Sequence, residues 1–297
     1  MTSIPVILNP TAGGGRLLRH KLELSAVARG RGVELEWWLT EQQGHGEQLA
    51  RRAAAEGHHL VLAWGGDGTY NEVARGLVGS ATAMGALPGG STSVLAYEFG
   101  VPRPAPRALD SLLRGADRAM RVGRSDRGDL VLLMLSAGVD AVIVEEAFRK
   151  RRRNDGKTGI AVQTVRELMR RRPLPRLRVR TEGGAIEGGW AIVGNARCYG
   201  GPFRATPGAD PFAPGFEVVV QTTVGRPSAA GFALALGLGR HLRRSDVVRQ
   251  HCERVVIEPV AAGAQLPYQV DGDPIMALPV TLEIDPRPLL IRVPEKG

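Results

Sequence analysis

Leu60-Val61-Leu62-Ala63-Trp64-Gly65-Gly66-Asp67-Gly68-Thr69-Tyr70-Asn71-Glu72 passes from a continuous apolar run into a glycine-rich turn and on into a helix-like stretch, 70–78. A short apolar run bounded by glycines reads as a buried strand. A turn leading from strand to helix leaves unpaired amides facing outward, with the positive end of the helix dipole behind them, which suits a phosphate. Gly65, Gly66 and Gly68 are expected to supply positive φ angles and a surface free of Cβ atoms. Asp67 does not itself attract an anion. A carboxylate beside a polyphosphate makes sense with a divalent cation between them, or as the group that orients a hydroxyl for phosphoryl transfer. The same residues also suit a plain glycine turn with Asp67 as N-cap, so this stretch alone leaves both readings open.

Outward from it, apolar runs rich in β-formers at 3–8, 33–39, 59–64 and 83–87 alternate with helix-like stretches at 16–29, 46–56 and 70–78. That alternation predicts a parallel, doubly wound sheet. In such sheets ligands sit beyond the carboxyl ends of the strands. The glycine segments 13–15, 65–68 and 89–90 all fall there, so three turns are expected to converge on one crevice. After about residue 125 the texture becomes mostly β, with strand-like runs at 130–135, 176–181, 190–194, 216–221 and 253–258. An amphipathic helix is predicted over Thr158–Arg170, where Val162, Val165 and Leu168 or Met169 recur at helical spacing beside Arg166 and Arg170. The apolar segment Ala229–Leu242, with Gly231, Gly237 and Gly239, reads as a helix or as a lipid-facing surface.

A chain of 297 residues exceeds the usual single domain, so two are expected. Its net charge of +9 is concentrated: between Arg149 and Arg180 thirteen Lys and Arg face only Asp155 and Glu167, a local +11 that leaves the remainder slightly acidic. Such a patch suits anionic lipid headgroups or a nucleic-acid backbone. Aromatic residues make up 5% of the chain and none follows Phe148 inside the patch, so base-stacking platforms are missing and nucleic acid ranks last among partners. No apolar stretch approaches the roughly 20 residues that span a bilayer, and Met1 to Asn9 lacks a basic n-region before a long apolar one. A cytoplasmic protein is expected. Cys198 and Cys252, without CxxC spacing, read as free thiols.

Six segments in order carry a resemblance. They are Asn9-Pro10 with Gly13-Gly14-Gly15; Thr40 with His45; Gly65 to Glu72, close to GGDGTxNE; and Leu87-Pro88-Gly89-Gly90-Ser91 followed by Ala96, close to LPxGT. Ala137-Gly138-Val139-Asp140-Ala141 looks like GxDA, and Asp271-Gly272-Asp273-Pro274 resembles a late DGE motif. Together they resemble the soluble diacylglycerol kinase-like lipid kinases, the family of bacterial diacylglycerol kinases and sphingosine kinases, over almost the whole chain. The resemblance implies an α/β fold class: a doubly wound N-terminal nucleotide-binding domain over 1–125, then a mostly β, sandwich-like lipid-substrate domain over 126–283. The segment from about 284 to 297 is a candidate to return to the first domain.

It also implies ATP and Mg²⁺ as cofactors and a lipid hydroxyl as acceptor, diacylglycerol-like by first choice. Carried over residue by residue, Asn9, Thr40, Gly65, Gly66, Asp67, Gly68, Thr69, Asn71 and Ser91 surround ATP. Asp67 acts through the metal, with Asp140 and Asp271 completing an acidic cluster around it. Asp273 stands where the family's proton acceptor, normally Glu, is found, and Asp271 assists it. Arg149, Lys150, Arg151, Arg152 and Arg153 are expected to dock the protein peripherally on the anionic inner membrane surface. Oligomeric state is left open, a homodimer among the candidates.

Three departures qualify the match. Asp273 is one methylene shorter than Glu, which shortens its reach by about 1.5 Å. Ser91 and Ser93 replace the Thr and Asn of the family's GTxN run, and Pro214 stands where a metal-binding Asp is expected, although Asp210 is near in sequence. Two other readings follow: an NAD kinase, which shares GGDGT but not the Thr69-Tyr70-Asn71-Glu72 continuation, and a non-catalytic nucleotide- or lipid-binding protein on a kinase scaffold.

Overall fold

The computed structural model describes residues 2–149, 174–275 and 278–295. The chain divides into two compact units, 1–122 with 286–297, and 123–285.

The first unit is built on the strands β1 (Thr2–Leu8), β2 (Val33–Leu39), β3 (Leu60–Gly65), β4 (Ala83–Pro88) and β5 (Ala116–Met120), joined by the last strand of the chain, Leu289–Val293. Their order is β2-β1-β3-β4-last-β5, and every neighbouring pair is parallel except the edge pair with β5. Residues of β1, β3 and β4 are buried almost without interruption, which is why they read as continuous apolar runs rather than alternating ones. Helices α1 (Lys21–Arg29), α2 (His45–Ala55), α3 (Asp67–Leu77), α4 (Val94–Glu98) and α5 (Ala105–Leu113) connect them, α1 packing with α5 and α2 with α3. The stretch expected as one helix over 16–29 is divided: a 3₁₀ turn, Leu17–His20, precedes α1. The amphipathic α5 and the short α4 were not read from the sequence.

Two antiparallel six-stranded sheets make up the second unit. Its strands are β6 (Gly123–Ser125), β7 (Leu130–Val131), β8 (Met134–Gly138), β9 (Leu177–Thr181), β10 (Gly184–Gly188), β11 (Trp190–Gly194), β12 (Cys198–Tyr199), β13 (Phe203–Arg204), β14 (Phe216–Gln221), β15 (Val247–Cys252), β16 (Arg254–Pro259), β17 (Tyr268–Val270), β18 (Asp273–Ile275) and β19 (Val280–Ile284); the last strand of the first unit is then β20. One sheet runs β10-β9-β16-β19-β6-β7 and the other β15-β14-β11-β8-β17-β18, with β12 and β13 forming a small hairpin. Leu135, Val193, Phe216 and Val218 from the second sheet share one buried core with Val179, Val255, Ile257 and Leu282 from the first, the arrangement of a β-sandwich. Helix α6 (Val139–Arg149) follows β8, and α7 (Arg226–Gly237) links β14 to β15.

The mixed α/β class is as expected. Lys150 to Arg153 and the helix expected over Thr158–Arg170 lie outside the described residues, as does the side chain of Arg149. At the far end of the basic patch the charge is neutralised across the sheet, Arg178 pairing with Glu187 at 2.7 Å and Arg180 with Glu258 at 2.8 Å. Cys198 and Cys252 are free and buried.

Candidate functional site

In the first unit, β2, β1, β3 and β4 are neighbours, so Thr40, Asn9, Gly66 and Gly89 leave the sheet along one edge, at the carboxyl ends of the strands. Thr40 donates its N–H to the Leu8 carbonyl at 2.9 Å, and Asn9 donates to the Trp64 carbonyl at 3.2 Å. Gly89 and Gly90 both donate to the Gly65 carbonyl, at 2.8 and 2.9 Å. The turns touch through their main chains: a Cβ on Gly90 would lie 2.7 Å from Gly66 Cα, and one on Gly13 would lie 2.7 Å from the Gly89 carbonyl oxygen. All three glycine turns therefore meet.

The expected source of that geometry needs correction. None of Gly65, Gly66 and Gly68 has a positive φ; those belong to Gly13, Gly14 and Gly15. Gly66 enters α3 from extended backbone (φ −102°, ψ −172°), so helix geometry begins at once, at Asp67. What Gly65 requires is space, since a Cβ there would lie 2.7 Å from Thr69 Cβ. Around a Cβ on Gly68 nothing lies within 4 Å, which leaves that face of the backbone open to a ligand.

Asp67 does not cap its own helix. Its carboxylate accepts the Leu95 N–H and the Thr92 hydroxyl, each at 3.1 Å, and so fastens the first turn of α4 to the start of α3. Burial pushes this carboxyl above its ordinary 3.8, with the Val94 and Leu95 amides and Thr92 acting the other way. Ser93, held at φ 46°, accepts the Gly90 N–H at 3.1 Å and donates to the Gly65 carbonyl at 3.4 Å. The hydroxyl that replaces the family's amide thus ties one turn to the next. Ser91 is exposed, its carbonyl accepting from Arg103 at 2.9 Å. Thr69 and Asn71 are buried, and Asn71 Oδ1 accepts from Arg75 at 2.8 Å. Glu72 accepts from Gly44 and Gly46 at 2.9 and 3.0 Å, capping α2. Sequence reasoning assigned no part to Thr92, Arg103 or Glu72; the i+5 step from Asp67 to Glu72, which puts them on different sides of α3, was the signal that Glu72 serves another element.

In the second unit, Asp271 and Gly272 are the two turn residues of the β17–β18 hairpin, at φ 53° and 97°. Positive φ at both positions is the signature of a type I′ turn, which Asp-Gly favours. The Asp271 carboxylate accepts the amides of Leu132, Leu133 and Met134 at 2.8–2.9 Å, which fastens the hairpin to the strand entering β8. Asp273 opens β18 and is exposed. One step deeper, Gln269 accepts the Gly272 N–H at 2.7 Å and donates to Ser136 at 2.8 Å and to Asp140 at 3.4 Å. Asp140, only 4% exposed, also accepts from the hydroxyls of Ser136 and Tyr199. Burial outweighs these donors and pushes the Asp140 carboxyl up; burial, then the Asp140 charge, raises Tyr199. Asp140 and the hairpin turn at Asp271 and Gly272 are thus tied together through Gln269, which sequence reasoning missed, and Asp273 follows on the second strand of the hairpin. The signal for Gln269 was a polar residue two places before Asp271 in an otherwise apolar strand. Asp210 accepts the Phe212 N–H at 3.0 Å, beside the exposed Pro214.

For a nucleoside triphosphate the residues of the first unit fit: main-chain turns free of side chains, with the open face of Gly68 at a helix start. Among the described residues no three His, Cys, Asp or Glu form a cage for a metal. Mg²⁺ bound with nucleotide uses only one or two carboxylates besides phosphate oxygens, and the Asp67 carboxylate beside these turns suits that donor set.

Residues 3–125 match the diacylglycerol kinase catalytic domain, and residues 134–293, more than half of the chain, match the YegS C-terminal NAD kinase beta sandwich-like domain. The chain belongs to the diacylglycerol kinase-like lipid kinase family. Its relatives include a diacylglycerol kinase of Mycobacterium tuberculosis, 25% identical over 99% of this chain and 96% of that protein, and a diacylglycerol kinase of Bacillus subtilis, 31% identical over 40% of each. A crystal structure of a Bacillus anthracis protein superposes with a TM-score of 0.82 at 18% identity, covering 99% of this chain and 96% of that one, which extends the shared fold over both units. NAD kinase enters only through the architecture of the second unit. Membership in a family of lipid kinases implies ATP as phosphate donor and a lipid as substrate.

Proposed function

We propose that this protein is an ATP- and Mg²⁺-dependent kinase that transfers the γ-phosphoryl group to a hydroxyl of a diacylglycerol-like lipid, working peripherally at the inner membrane surface. The observation that carries the reading is the main-chain meeting of the three glycine turns with the Asp67 carboxylate beside them. Amides of those turns, with the hydroxyls of Thr69 and Ser91, donate to phosphate oxygens; Asn9, Thr40 and Asn71 line the nucleotide. Asp67 is the carboxylate for Mg²⁺, whose charge offsets the charge that builds on the transferred group. Asp273, the exposed acid of the hairpin, takes the proton from the attacking hydroxyl. Asp271 and Asp140, read from the sequence as further metal partners, have their carboxylates filled by protein donors, and in this reading they position the hairpin. The names of the relatives support the choice of acceptor.

The test is labelled phosphate transfer from ATP into a total lipid extract, with identification of the product, run beside NAD as acceptor. Label is expected in a phosphorylated diacylglycerol, lost in Asp67→Asn and Asp273→Asn. Full labelling in Asp67→Asn removes its metal role. Label in NAD instead of lipid restores the NAD kinase reading, and ATP binding without transfer to either makes the chain a non-catalytic binder.

A further inference from the structure

Helix α7 does not turn a polar side to solvent, as a surface helix ordinarily does. Its inward residues Ala229, Phe232 and Leu236 are buried, Phe232 against Trp190 with ring centroids 5.0 Å apart. Its outward residues are apolar as well: Leu234 is 68% exposed, Leu238 just past the helix end is 64% exposed, and Ala230 is exposed. Spacing of four residues puts these three in one stripe. The β12–β13 hairpin packs beside α7 and adds Phe203, 44% exposed. His241 Nε2 bonds the Ala205 carbonyl at 2.8 Å, so the turn after α7 is pinned to the segment that follows Phe203. Stripe and phenylalanine are held together on one rigid surface.

The unpaired charges that adjoin the stripe and Phe203 in sequence are cationic. Arg240 and Arg243 follow the stripe and Arg204 adjoins Phe203; all three are exposed, and their side chains make no ion pair or hydrogen bond among the described residues. Arg244, by contrast, is held by Asp246 at 2.8 Å. Between Thr222 and Ser245 the chain has no Asp or Glu. Exposed leucines rimmed by unpaired cations suit an interface that is apolar within and anionic at its edge.

We propose that the outward face of α7, together with Phe203, docks on an anionic lipid bilayer, the leucines entering the boundary between headgroups and acyl chains and Arg204, Arg240 and Arg243 meeting lipid phosphates. The choice of a bilayer rests on the lipid kinase reading above. A second copy of the chain is the poorer occupant, because a twofold contact across this face would bring the arginines toward their own copies with no acid in the segment to separate them. This surface is distinct in sequence from the basic run at 149–153.

Sedimentation of the full chain with vesicles tests it, using phosphatidylcholine alone and phosphatidylcholine mixed with phosphatidylglycerol. Binding to the mixed vesicles is expected to fall about tenfold in Leu234→Ser/Leu238→Ser, since each exposed leucine loses the transfer energy of an apolar side chain. A fall of similar order is expected in Arg240→Gln/Arg243→Gln, confined to the anionic vesicles. Both variants are expected to phosphorylate a short-chain, water-soluble diacylglycerol at the unaltered rate. Unchanged partition in both overturns the proposal, as does failure of the unaltered chain to bind mixed vesicles. It is also overturned if the chain is a dimer without lipid and the leucine variant a monomer. The two readings fail separately: vesicle binding through α7 without lipid phosphorylation defeats only the function, and phosphorylation with unchanged partition defeats only the docking surface.

Discussion

The first unit assembles its candidate site residues from main chain, the second from side chains. Around Gly65 two amides share one carbonyl, and a Cβ on Gly90 or Gly13 would lie 2.7 Å from the main chain of Gly66 or Gly89. Around Asp271 the hairpin hangs instead on a carboxylate that accepts three amides and on Gln269, which reaches from Gly272 to the buried Asp140. Where main chain packs directly on main chain, an added atom is not tolerated, but little is asked of side-chain chemistry. One made of side chains can accommodate a change of size and depends on every donor finding its acceptor.

Gly90→Ala strikes the first kind of construction most directly. Its Cβ would meet Gly66 Cα, backbone that cannot swing aside. Overpacking of this kind costs about 1–3 kcal/mol of stability, and displacing the phosphate turns by even a fraction of an ångström is expected to lower phosphoryl transfer by about 100-fold. Gly66→Ala is the contrast, because its nearest neighbour would be 3.6 Å away. Equal thermal stability in the two variants would show that the turns do not rest on close approach.

In the second unit the matching change is Gln269→Ala, expected to cost about 1–3 kcal/mol for the donors and acceptors it strands. The rate of transfer should fall about tenfold while KM for ATP stays put, the split expected when a residue positions the acid side alone. A raised KM for ATP with unchanged kcat would break the distinction between the two constructions.

This difference also governs what was legible in the sequence. Main-chain sites advertise themselves, because close approach at Gly13, Gly65, Gly89 and Gly90 and positive φ at 13–15 favour glycine, and so segments 13–15, 65–68 and 89–90 could be read in place. Their detail could not: glycine at 65 serves space and not a positive φ, and only the packing of Thr69 reveals which. The second unit's assembly draws Ser136, Asp140, Tyr199 and Gln269 from four separate elements. Only Asp140 lay in a recognisable motif, since a serine, a tyrosine and a glutamine have no spacing rule until β8 and β17 pair and set Ser136 opposite Gln269. Short strands such as β6, β12 and β13 escaped for a related reason, as two or three residues carry no period.

Glu72→Gln gives a smaller effect and sharpens the comparison inside the first unit. Glu72 belongs to the same motif as Asp67 yet serves α2, where it accepts the Gly44 and Gly46 amides. Loss of its charge should cost about 1 kcal/mol, the scale of a helix cap, seen as a lower midpoint in denaturant. ATP affinity should be unchanged; a large loss of affinity would place Glu72 at the nucleotide instead.

The smallest effect expected is a change of slope with pH, from Asp140→Asn. Burial holds the Asp140 carboxyl above its ordinary 3.8 despite Ser136, Tyr199 and Gln269. Between that value and the raised one the folded protein keeps a proton that the unfolded chain has released, so stability falls as pH rises through this window. Below 3.8 the contribution of the group is fully present, and above the raised value it has been lost. Asparagine does not titrate, so the stability of Asp140→Asn relative to the unaltered protein should improve as pH is raised from 3.8 through the window and level off beyond it. Asp67 is shifted in the same direction by burial, so the variant retains that part of the acid-range slope. Denaturant midpoints of both proteins across this range decide the matter: parallel curves would mean that the three donors fully compensate burial and that Asp140 stands ionised at the base of the hairpin.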